Sequence, residues 1–563
     1  MACAVAAGAP STLETPETQS RQSDAMSTFQ AEQDRLRAEL LMKRVRPAAG
    51  PLRALGPLAM PFAPNPFGLL PPPANSTGYN QPLQSPVVLQ SENGVLNATL
   101  EVDYATHSLW SFKQNRAITT RLRSLNGGLT GPLLKLKPGD TLRVHLFNHL
   151  PPDTAMALAG GMHMDHGFNT TNLHTHGLHV SPSGNSDNVM LEVAPGADMQ
   201  YAMAIPAGHP AGTFWYHSHV HGSTAIQVSS GMSGPLIIAG GLDEVPEIKA
   251  AQEKIFLFQQ IPYSFDSGTQ QYVVEDFWKS FGPNVWRTGV ANNGWRTMIN
   301  GQVVPVIEMQ PGEVQRWRFI HGGVQETLSV QLEGHALHEI AKDGLALGYL
   351  ASSETIQLEP GYRSDVLVKA EVADAGKVFF LIDGPTGPAD SLLAASENPA
   401  VLAAVVVGGL PKEMALPSAG SLAPCAALAA IGDAEITGKQ TLEFNVDTST
   451  QPAGMQIDGK SYDPASEGRV LKLGGVEEWT ITSRFANHPF HIHTNPFQVV
   501  SMKDESGHET VTMPFWKDTL LIKQGWVVKV RTRYSDFTGT FVTHCHILDH
   551  EDRGMMQKVT IVP

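Results

Sequence analysis

The segment Phe541–Met555, which reads FVTHCHILDHEDRGM, carries three histidines, one cysteine and a methionine close to the end of the chain. Residues 539–542 (GTFV) are typical of the end of a β-strand. Side chains two apart on a strand share a face, so His544 and His546 should point one way and Cys545 the other. One strand is therefore expected to serve two separate sites.

Cys545 has the neighbours that one kind of metal site requires. A thiolate with an imidazole (His550) and a thioether (Met555) nearby is the ligand set of a blue copper electron-transfer site, which also needs a second imidazole. Structural zinc favours closed sets of four ligands, and only one cysteine is present here to anchor such a set. His544 and His546, on the opposite face, predict a second metal site.

Three further histidine clusters can supply the missing ligands. They are His174-Thr175-His176, His217-Ser218-His219 and His488-Pro489-Phe490-His491-Ile492-His493. With the C-terminal segment they hold ten of the 22 histidines. One His-x-His pair is more often part of a half-buried strand than of a metal site, whereas four clusters with one cysteine favour metal binding.

These four motifs resemble those of the multicopper oxidases, the family of three-domain laccases, bilirubin oxidases and bacterial cuprous oxidases. The resemblance covers the chain from about Ser85 to Pro563. It implies four copper ions: a type 1 copper that takes single electrons from a substrate, and a type 2 copper with two type 3 coppers that reduce O2 to water. The ligands that it implies are His488, Cys545, His550 and axial Met555 for type 1; His174 and His491 for type 2; and His176, His217, His219, His493, His544 and His546 for type 3.

Length and composition indicate a β-protein of several domains. The 563 residues are too many for one hydrophobic core and allow two to four domains. The chain is 17% charged and 42% hydrophobic, with 52 glycines and 40 prolines, which is typical of a soluble, loop-rich, all-β protein. Its formal charge of -15 argues against nucleic acid and anionic membranes as partners.

An internal repeat predicts the number of domains. Three predicted turns, each between segments in which apolar residues alternate with polar ones, recur at nearly even spacing. They contain Pro138-Gly139, Pro311-Gly312 and Leu473-Gly474. Short alternating runs bounded by Gly, Pro and Asn are typical of Greek-key β-sandwiches, and the resemblance implies cupredoxin-like domains. We therefore expect a disordered or partly helical N-terminal tail with a Pro-rich linker over residues 1–84, followed by cupredoxin-like domains over residues 85–245, 246–430 and 431–563.

A second repeat indicates which of these domains bind metal. Residues 212–219 (GTFWYHSH) match residues 539–546 (GTFVTHCH), whereas the counterpart in the middle domain, residues 376–383 (GKVFFLID), has no histidine. Ser218 stands where the third domain has Cys545, so the first domain lacks a thiolate for a blue site. The middle domain is therefore predicted to be a spacer, with the oxygen site between the first and third domains.

Two carboxylates are candidate catalytic residues. Reduction of O2 consumes four protons with the four electrons, so acidic side chains are expected near the cluster. Asp187 resembles the family's acidic residue beside the type 2 copper, although an Asp in a loop is also a common turn former. Glu551 resembles an acidic residue that some bacterial members use in the same relay.

The N-terminal region and the other cysteines give little information. Residues 27–46 suit either an amphipathic helix or a solvated charged tail. No secretory signal is recognisable and no segment could span a membrane, so an extracellular or periplasmic location rests on the resemblance. Nothing in the sequence supports a disulfide between Cys3 and Cys425.

The sequence thus predicts a copper-dependent, laccase-like oxidoreductase. It would couple one-electron oxidation of phenols, aromatic amines or related donors to four-electron reduction of O2 to water, and act as a monomer on a small-molecule reducing substrate. A metallo-oxidase acting on Cu(I), Fe(II) or Mn(II), a bilirubin-oxidase-like activity and a copper-storage role are the alternatives. Met156, Met162 and Met164 form the one compact methionine group, and thioethers suit Cu(I).

Overall fold

The computed structural model describes residues 26–27, 29–38, 80–152, 167–268, 270–274, 296–418, 420–425, 428–450, 453–511 and 513–563. Within these ranges the chain folds into six β-sheets with a few short helices, so the all-β prediction is confirmed. No helix among the described residues is long and apolar enough to cross a bilayer. Cys3, the methionine group at 156–164 and residues 39–46 of the predicted helix lie outside the described ranges.

The first third of the chain forms two sheets around one core. In spatial order, one sheet comprises Val88–Gln90, Leu133–Leu136, Ser233–Ile238, Gly212–His217 and His174–His176, and the other comprises Ser264–Asp266, Gln271–Val273, Arg116–Leu125, Val95–Ser111, Thr141–Asn148 and Asp198–Ala204. The first half of Val95–Ser111 alternates buried and exposed side chains because only one face of the sheet meets the core. Leu100 from one sheet and Leu236 from the other belong to the same buried cluster.

The middle third repeats this arrangement. One sheet comprises Met298–Ile299, Gln252–Gln259, Val314–His321, Arg363–Lys369, Leu337–Lys342 and Leu345–Ser353, and the other comprises Val306–Met309, Ala400–Val407, Val378–Asp383, Leu328–Leu332 and Thr355–Leu358. Trp317 from the first sheet and Leu381 from the second are fully buried in one cluster. This pair of sheets therefore has its own core.

The last third also has two sheets. One comprises Gly454–Ile457, Gly438–Asp447, Val476–Ser483, Val527–Arg533, Phe497–Lys503 and Phe515–Lys517, and the other comprises Arg469–Lys472, Met556–Val562, Gly539–Cys545, His488–Ile492 and Thr519–Ile522. Cys545 and Met555 lie in the core cluster between these sheets, together with Ile481 and Phe490. The cysteine is thus held inside the core of the last third.

The repeat predicted from the sequence has a structural counterpart in all three thirds. Gly212–His217, Val378–Asp383 and Gly539–Cys545 each pair antiparallel with the strand that follows in the chain, which is Ser233–Ile238, Ala400–Val407 and Met556–Val562 respectively. The predicted counterpart at residues 376–383 therefore occupies the same position as the two histidine-bearing strands, and it carries no histidine.

The joints between the thirds are closely packed. Ser264–Asp266 and Gln271–Val273 follow the predicted boundary at residue 245, yet they extend a sheet of the first third. Gln271–Val273 pairs with Arg116–Leu125, and Ser264–Asp266 pairs with Gln271–Val273. The domain limits themselves stay a prediction. A large apolar cluster that joins the thirds contains Leu122 from the first, Val406 from the middle and Leu548 from the last.

The N-terminal region includes a helix that is docked on this body. Residues 26–27 and 29–38 are helical, and Phe29 and Leu36 are buried in the cluster that joins the thirds. Arg37 forms an ion pair with Glu333 at 2.8 Å and lies over the ring of Phe380. A partly helical tail was predicted, whereas its burial against the middle third was not.

Short helices lie in some of the connections between the described strands. They are the α-helices Thr224–Val228, Pro246–Ala250 and Leu548–Asp552 and the 3-10 helices Gly241–Glu244, Val372–Asp374 and Asp433–Glu435. Thr224–Val228 and Leu548–Asp552 contact each other. Each follows a histidine-bearing strand, so their contact brings the ends of two such strands together.

Candidate metal centres

The cysteine site consists of His488, Cys545 and His550. The Sγ atom of Cys545 lies 3.4 Å from Nδ1 of His488, which in turn lies 3.4 Å from Nδ1 of His550. Strand pairing explains this arrangement, because Phe490 is opposite Cys545 in the sheet and His488 is two residues before it. The ligand atoms of all three residues lie within 4.8 Å of one another and are buried.

Met555 is held at the same place by its backbone. Its N–H donates to the carbonyl of His550 at 2.9 Å, and its carbonyl accepts from the N–H of Cys545 at 3.0 Å. The side chain is completely buried in the core cluster that contains Cys545. The structure therefore places the predicted axial residue beside the cysteine strand.

Eight histidines form one cluster between the first and last thirds. Their ligand atoms converge in three groups, two of which share His176: they are His174, His176 and His491; His176, His217 and His546; and His219, His493 and His544. Each group takes members from both the first and the last third of the chain. The predicted clusters at 174–176, 217–219, 488–493 and 544–546 thus meet in space.

Hydrogen bonds on the outer side of these rings fix which nitrogen faces inward. Nδ1 of His217 contacts the carbonyl of Ser218 at 2.8 Å, and Nδ1 of His491 contacts the carbonyl of Asp518 at 2.7 Å. A carbonyl can only accept, so these Nδ1 atoms carry the proton and their Nε2 atoms keep a lone pair. The Nε2 atoms of His217 and His491, like that of His174, are buried without a hydrogen-bond partner.

This donor set fits copper. Burial is the main cause that lowers the pKa of His217 and His491 to about 3 and that of His488 to about 4, so these rings are neutral at physiological pH. Buried lone pairs that face one another repel unless a cation lies between them, and unpartnered buried polar atoms are costly. Imidazole suits copper, and a thiolate with imidazoles and a thioether is a copper set.

Asp187 lies behind His174. Its two carboxylate oxygens are each 3.1 Å from Nδ1 of His174, and one accepts the backbone N–H of Thr175 at 2.9 Å. Burial raises the pKa of Asp187 to about 7, although the hydrogen bonds from Thr175 oppose the shift. The side chain therefore contacts the histidine cluster directly and has a pKa suited to proton exchange near neutral pH.

Glu551 contacts the other end of the cluster. Its Oε1 lies 3.4 Å from Nδ1 of His219 and its Oε2 lies 3.1 Å from Nδ1 of His544. Thr224 donates its hydroxyl to Oε1 at 3.1 Å. One buried carboxylate thus touches a ring from the first third and a ring from the last.

Two further acidic residues of this region were missed by the sequence analysis. Asp552 accepts the backbone N–H groups of Gly222, Thr224 and Ala225 and so joins Leu548–Asp552 to Thr224–Val228. Asp518 contacts Nε2 of His176 at 3.3 Å. Asp552 directly follows Glu551 and could have been considered with it, whereas Asp518 stands in no histidine motif.

Comparison with known proteins agrees with this geometry. Three family models described as multicopper oxidase match residues 106–242, 270–407 and 435–563. They cover most of the chain and follow its division into thirds.

Curated relatives and solved structures give the same family. The chain is 26% identical to a multicopper oxidase of Staphylococcus aureus over 77% of its own length and 83% of the relative, and 23% identical to a laccase of Bacillus subtilis over 78% and 90%. Among solved structures, a metallo-oxidase from Campylobacter jejuni has a TM-score of 0.68 at 22% identity and covers 89% of this chain and 99% of that one. A laccase from Pediococcus acidilactici also gives 0.68, at 23% identity, covering 87% and 95%. From its motifs, its paired sheets, its converging donor sets and these matches, the chain belongs to the multicopper oxidase family.

Proposed function

We propose that this copper-dependent oxidase is laccase-like: it takes single electrons from phenols, aromatic amines or related small molecules and uses them to reduce O2 to water. The observation that carries the proposal is the position of Cys545, which belongs to one donor set while its two chain neighbours, His544 and His546, belong to another. A storage protein has no need of such a direct covalent link between two kinds of site.

The proposed ligands follow the three-dimensional groups. His488, Cys545 and His550, with Met555 as the axial neighbour, would hold the type 1 copper, and His174 and His491 the type 2 copper. The type 3 pair would be held by His176, His217 and His546 on one side and by His219, His493 and His544 on the other. Copper bound at these places supplies the one-electron chemistry, since it cycles between Cu(II) and Cu(I).

The protein's own part begins with the covalent path. Cys545 lies between His544 and His546 on the strand Gly539–Cys545 and its continuation, so only a few backbone bonds separate the thiolate from either ring. Residues 539–544 of this strand pair with Met556–Val562, and its last three residues pair with His488–Ile492, so that the end of the strand that carries these side chains is held by neighbouring strands. The path therefore needs no movement of the chain.

Protons would be held by Asp187 and Glu551. Each carboxylate contacts the outer nitrogen of at least one cluster histidine, Asp187 at His174 and Glu551 at His219 and His544. The two residues thus lie at different sides of the cluster. We propose that they deliver protons to the oxygen site while they keep the contacted rings in the metal-binding orientation.

Oxygen uptake with purified, copper-loaded protein tests this proposal. Addition of a phenol or an aromatic amine should start uptake, and removal of copper by a chelator should abolish it. Copper binding without oxygen uptake in the presence of any donor would favour a copper-storage role. Oxygen uptake with Cu(I), Fe(II) or Mn(II) but not with organic donors would favour the metallo-oxidase alternative. Selective turnover of bilirubin would favour a bilirubin-oxidase-like activity.

We also propose that the chain acts as a monomer outside the cytoplasm, in the periplasm or the medium, with no nucleic-acid partner. The family resemblance supports the first two points, and the net charge of -15 supports the third. Size-exclusion chromatography with light scattering would test the oligomeric state, and fractionation of the producing cells would test the location.

A further inference from the structure

The middle third contributes residues that touch the histidine cluster, although none of its described residues belongs to the converging donor groups. The turn between Thr355–Leu358 and Arg363–Lys369 lies against the rings: a Cβ atom added to Gly361 would come within 3.1 Å of both Cε1 of His176 and Cδ2 of His546. A spacer between two metal-binding domains would not need this close approach.

Arg363 is the first residue of the strand that follows this turn, and it is almost completely buried. Its guanidinium forms a two-pronged pair with Asp518, with Nη1 donating to Oδ1 at 2.8 Å and Nη2 donating to Oδ2. Nη1 also donates to the carbonyl of Gly361 at 2.9 Å, and Nε donates to the carbonyl of Thr213 at 3.2 Å. Arg363 thus joins all three thirds of the chain at one point.

Asp518 and Thr519 connect this arginine to two cluster rings. Oδ1 of Asp518 lies 3.3 Å from Nε2 of His176, and the hydroxyl of Thr519 lies 3.1 Å from the same atom. The backbone carbonyl of Asp518 accepts Nδ1 of His491 at 2.7 Å. The rings of His176 and His491 are stacked, with centroids 3.9 Å apart.

The surroundings of Asp518 include another carboxylate, that of Asp343 in the middle third. Asp343 accepts the N–H of Arg363 at 3.1 Å and lies 3.2 Å from Nζ of the buried Lys517. A cavity of about 370 Å³ is lined in part by Asp343, Asp518 and Gly177. Asp518 therefore both lines this cavity and contacts the ring of His176.

From these contacts we propose that Arg363 is a positioning residue for the oxygen-reducing cluster. By holding the carboxylate of Asp518 in place, it keeps an acceptor 3.3 Å from Nε2 of His176, so that Nδ1 of this ring faces His546 across 3.2 Å. Gly361 also positions the cluster, because a Cβ atom at this place would press on the rings of both His176 and His546. The inference rests on the proposed function, since it concerns the cluster assigned there.

Two pairs of variants test the proposal. Arg363→Lys keeps the charge but loses the two-pronged geometry, and Arg318→Lys is its control, because Arg318 is equally buried, pairs with Asp365 on the same strand as Arg363 and touches no cluster ring. Gly361→Ala adds a methyl group beside the rings, and Gly376→Ala is its control, because Gly376 has a similar φ, +86° against +91°, with no atom within 4 Å of the new Cβ.

The readouts are copper retention during titration with a chelator, the type 2 electron paramagnetic resonance signal and the blue thiolate absorption. Arg363→Lys and Gly361→Ala should weaken retention of the cluster coppers by about 10- to 100-fold, the usual effect of changing a group that orients a ligand. Their type 2 signal should change, whereas blue absorption should stay as in the wild type. Both control variants should match the wild type in all three readouts.

Unchanged cluster retention and signal in Arg363→Lys and Gly361→Ala would overturn the proposal. So would a parallel loss of blue absorption, because the residues would then support the whole fold and not the cluster. Wild-type protein that binds copper but consumes no O2 would refute the proposed function instead, so the two failures are distinguishable.

Discussion

Nε2 of His219 lies 3.2 Å from Nε2 of His544, although 325 residues separate them in the chain. The first ring comes from the first third and the second from the strand that carries Cys545. Glu551 contacts the outer Nδ1 atoms of both rings. The proposed oxygen site is therefore formed by the packing of the first and last thirds, since each of its histidine groups takes members from both.

The role of Cys545 is tested by Cys545→Ser. The thiolate colour and the oxidation of donors should disappear, because a hydroxyl is a poor copper ligand and cannot replace the thiolate. The eight cluster histidines are untouched, so the cluster should keep its copper. Copper analysis and visible absorption measure both effects, and donor oxidation near the wild-type rate would remove Cys545 from the electron path.

The role of Asp187 is tested by Asp187→Asn. The amide keeps the size of the side chain and can still accept the N–H of Thr175, but it has no acidic proton to give. Turnover should fall by about 100-fold, within the range of general acid catalysis. Reduction of the blue copper by a phenol under argon, followed by stopped flow, should keep its rate. Equal slowing of both steps would point to a structural role.

Most of the histidines that converge in the folded chain were predictable from the sequence because His-x-His on a strand places two rings on one face. His174, His217 and His544 stand in such motifs, and all meet in the folded chain. Strand composition and evenly spaced turns likewise indicated three sandwich domains. These features are local in the sequence, so they can be recognised without knowledge of the fold.

The contribution of the middle third was not predictable. Arg363 begins a strand and Asp518 lies at a bend between two strands; neither belongs to a recognisable motif, and they meet only because the middle and last thirds pack together. The absence of a histidine in residues 376–383 predicted a spacer without metal ligands, and it gave no indication of Gly361 beside the rings. The docking of Leu36 depends in the same way on a distant surface.

A pH dependence of stability is expected from Glu359. Burial raises its pKa to about 7 from an ordinary value of 4.5, against hydrogen bonds from Thr327 and Gln357. The folded chain then holds this proton more tightly than the unfolded chain, so the contribution is complete below about pH 4.5 and is lost as the pH rises through 7. The loss is on the order of 3 kcal/mol.

Glu359→Gln should therefore raise the urea midpoint at about pH 8 and change it little at about pH 5. Glu354→Gln, an exposed change in the neighbouring loop, should leave both midpoints as in the wild type. A Glu359→Gln midpoint that shifts equally at both pH values would contradict the titration of this side chain.

The docking of the N-terminal helix is tested by Leu36→Asp. Leu36 is fully buried, and an unpartnered carboxylate in its place would cost several kcal/mol, enough to release the helix. Trypsin should then cut after Arg37 much faster than in the wild type. Ala31→Asp puts the same charge on the exposed face of the helix and should not change the rate. Equal rates for the two variants would mean that Leu36 does not hold the helix, and blue absorption should persist in both.

The most direct test of the central claim is the number of donor molecules oxidised per O2 consumed, measured with a one-electron phenolic donor and copper-loaded wild-type protein. One blue site that feeds a single cluster of eight histidines predicts four donors per O2, with no hydrogen peroxide released. A ratio of two with accumulating hydrogen peroxide would contradict the account, because O2 would then leave the site only half reduced.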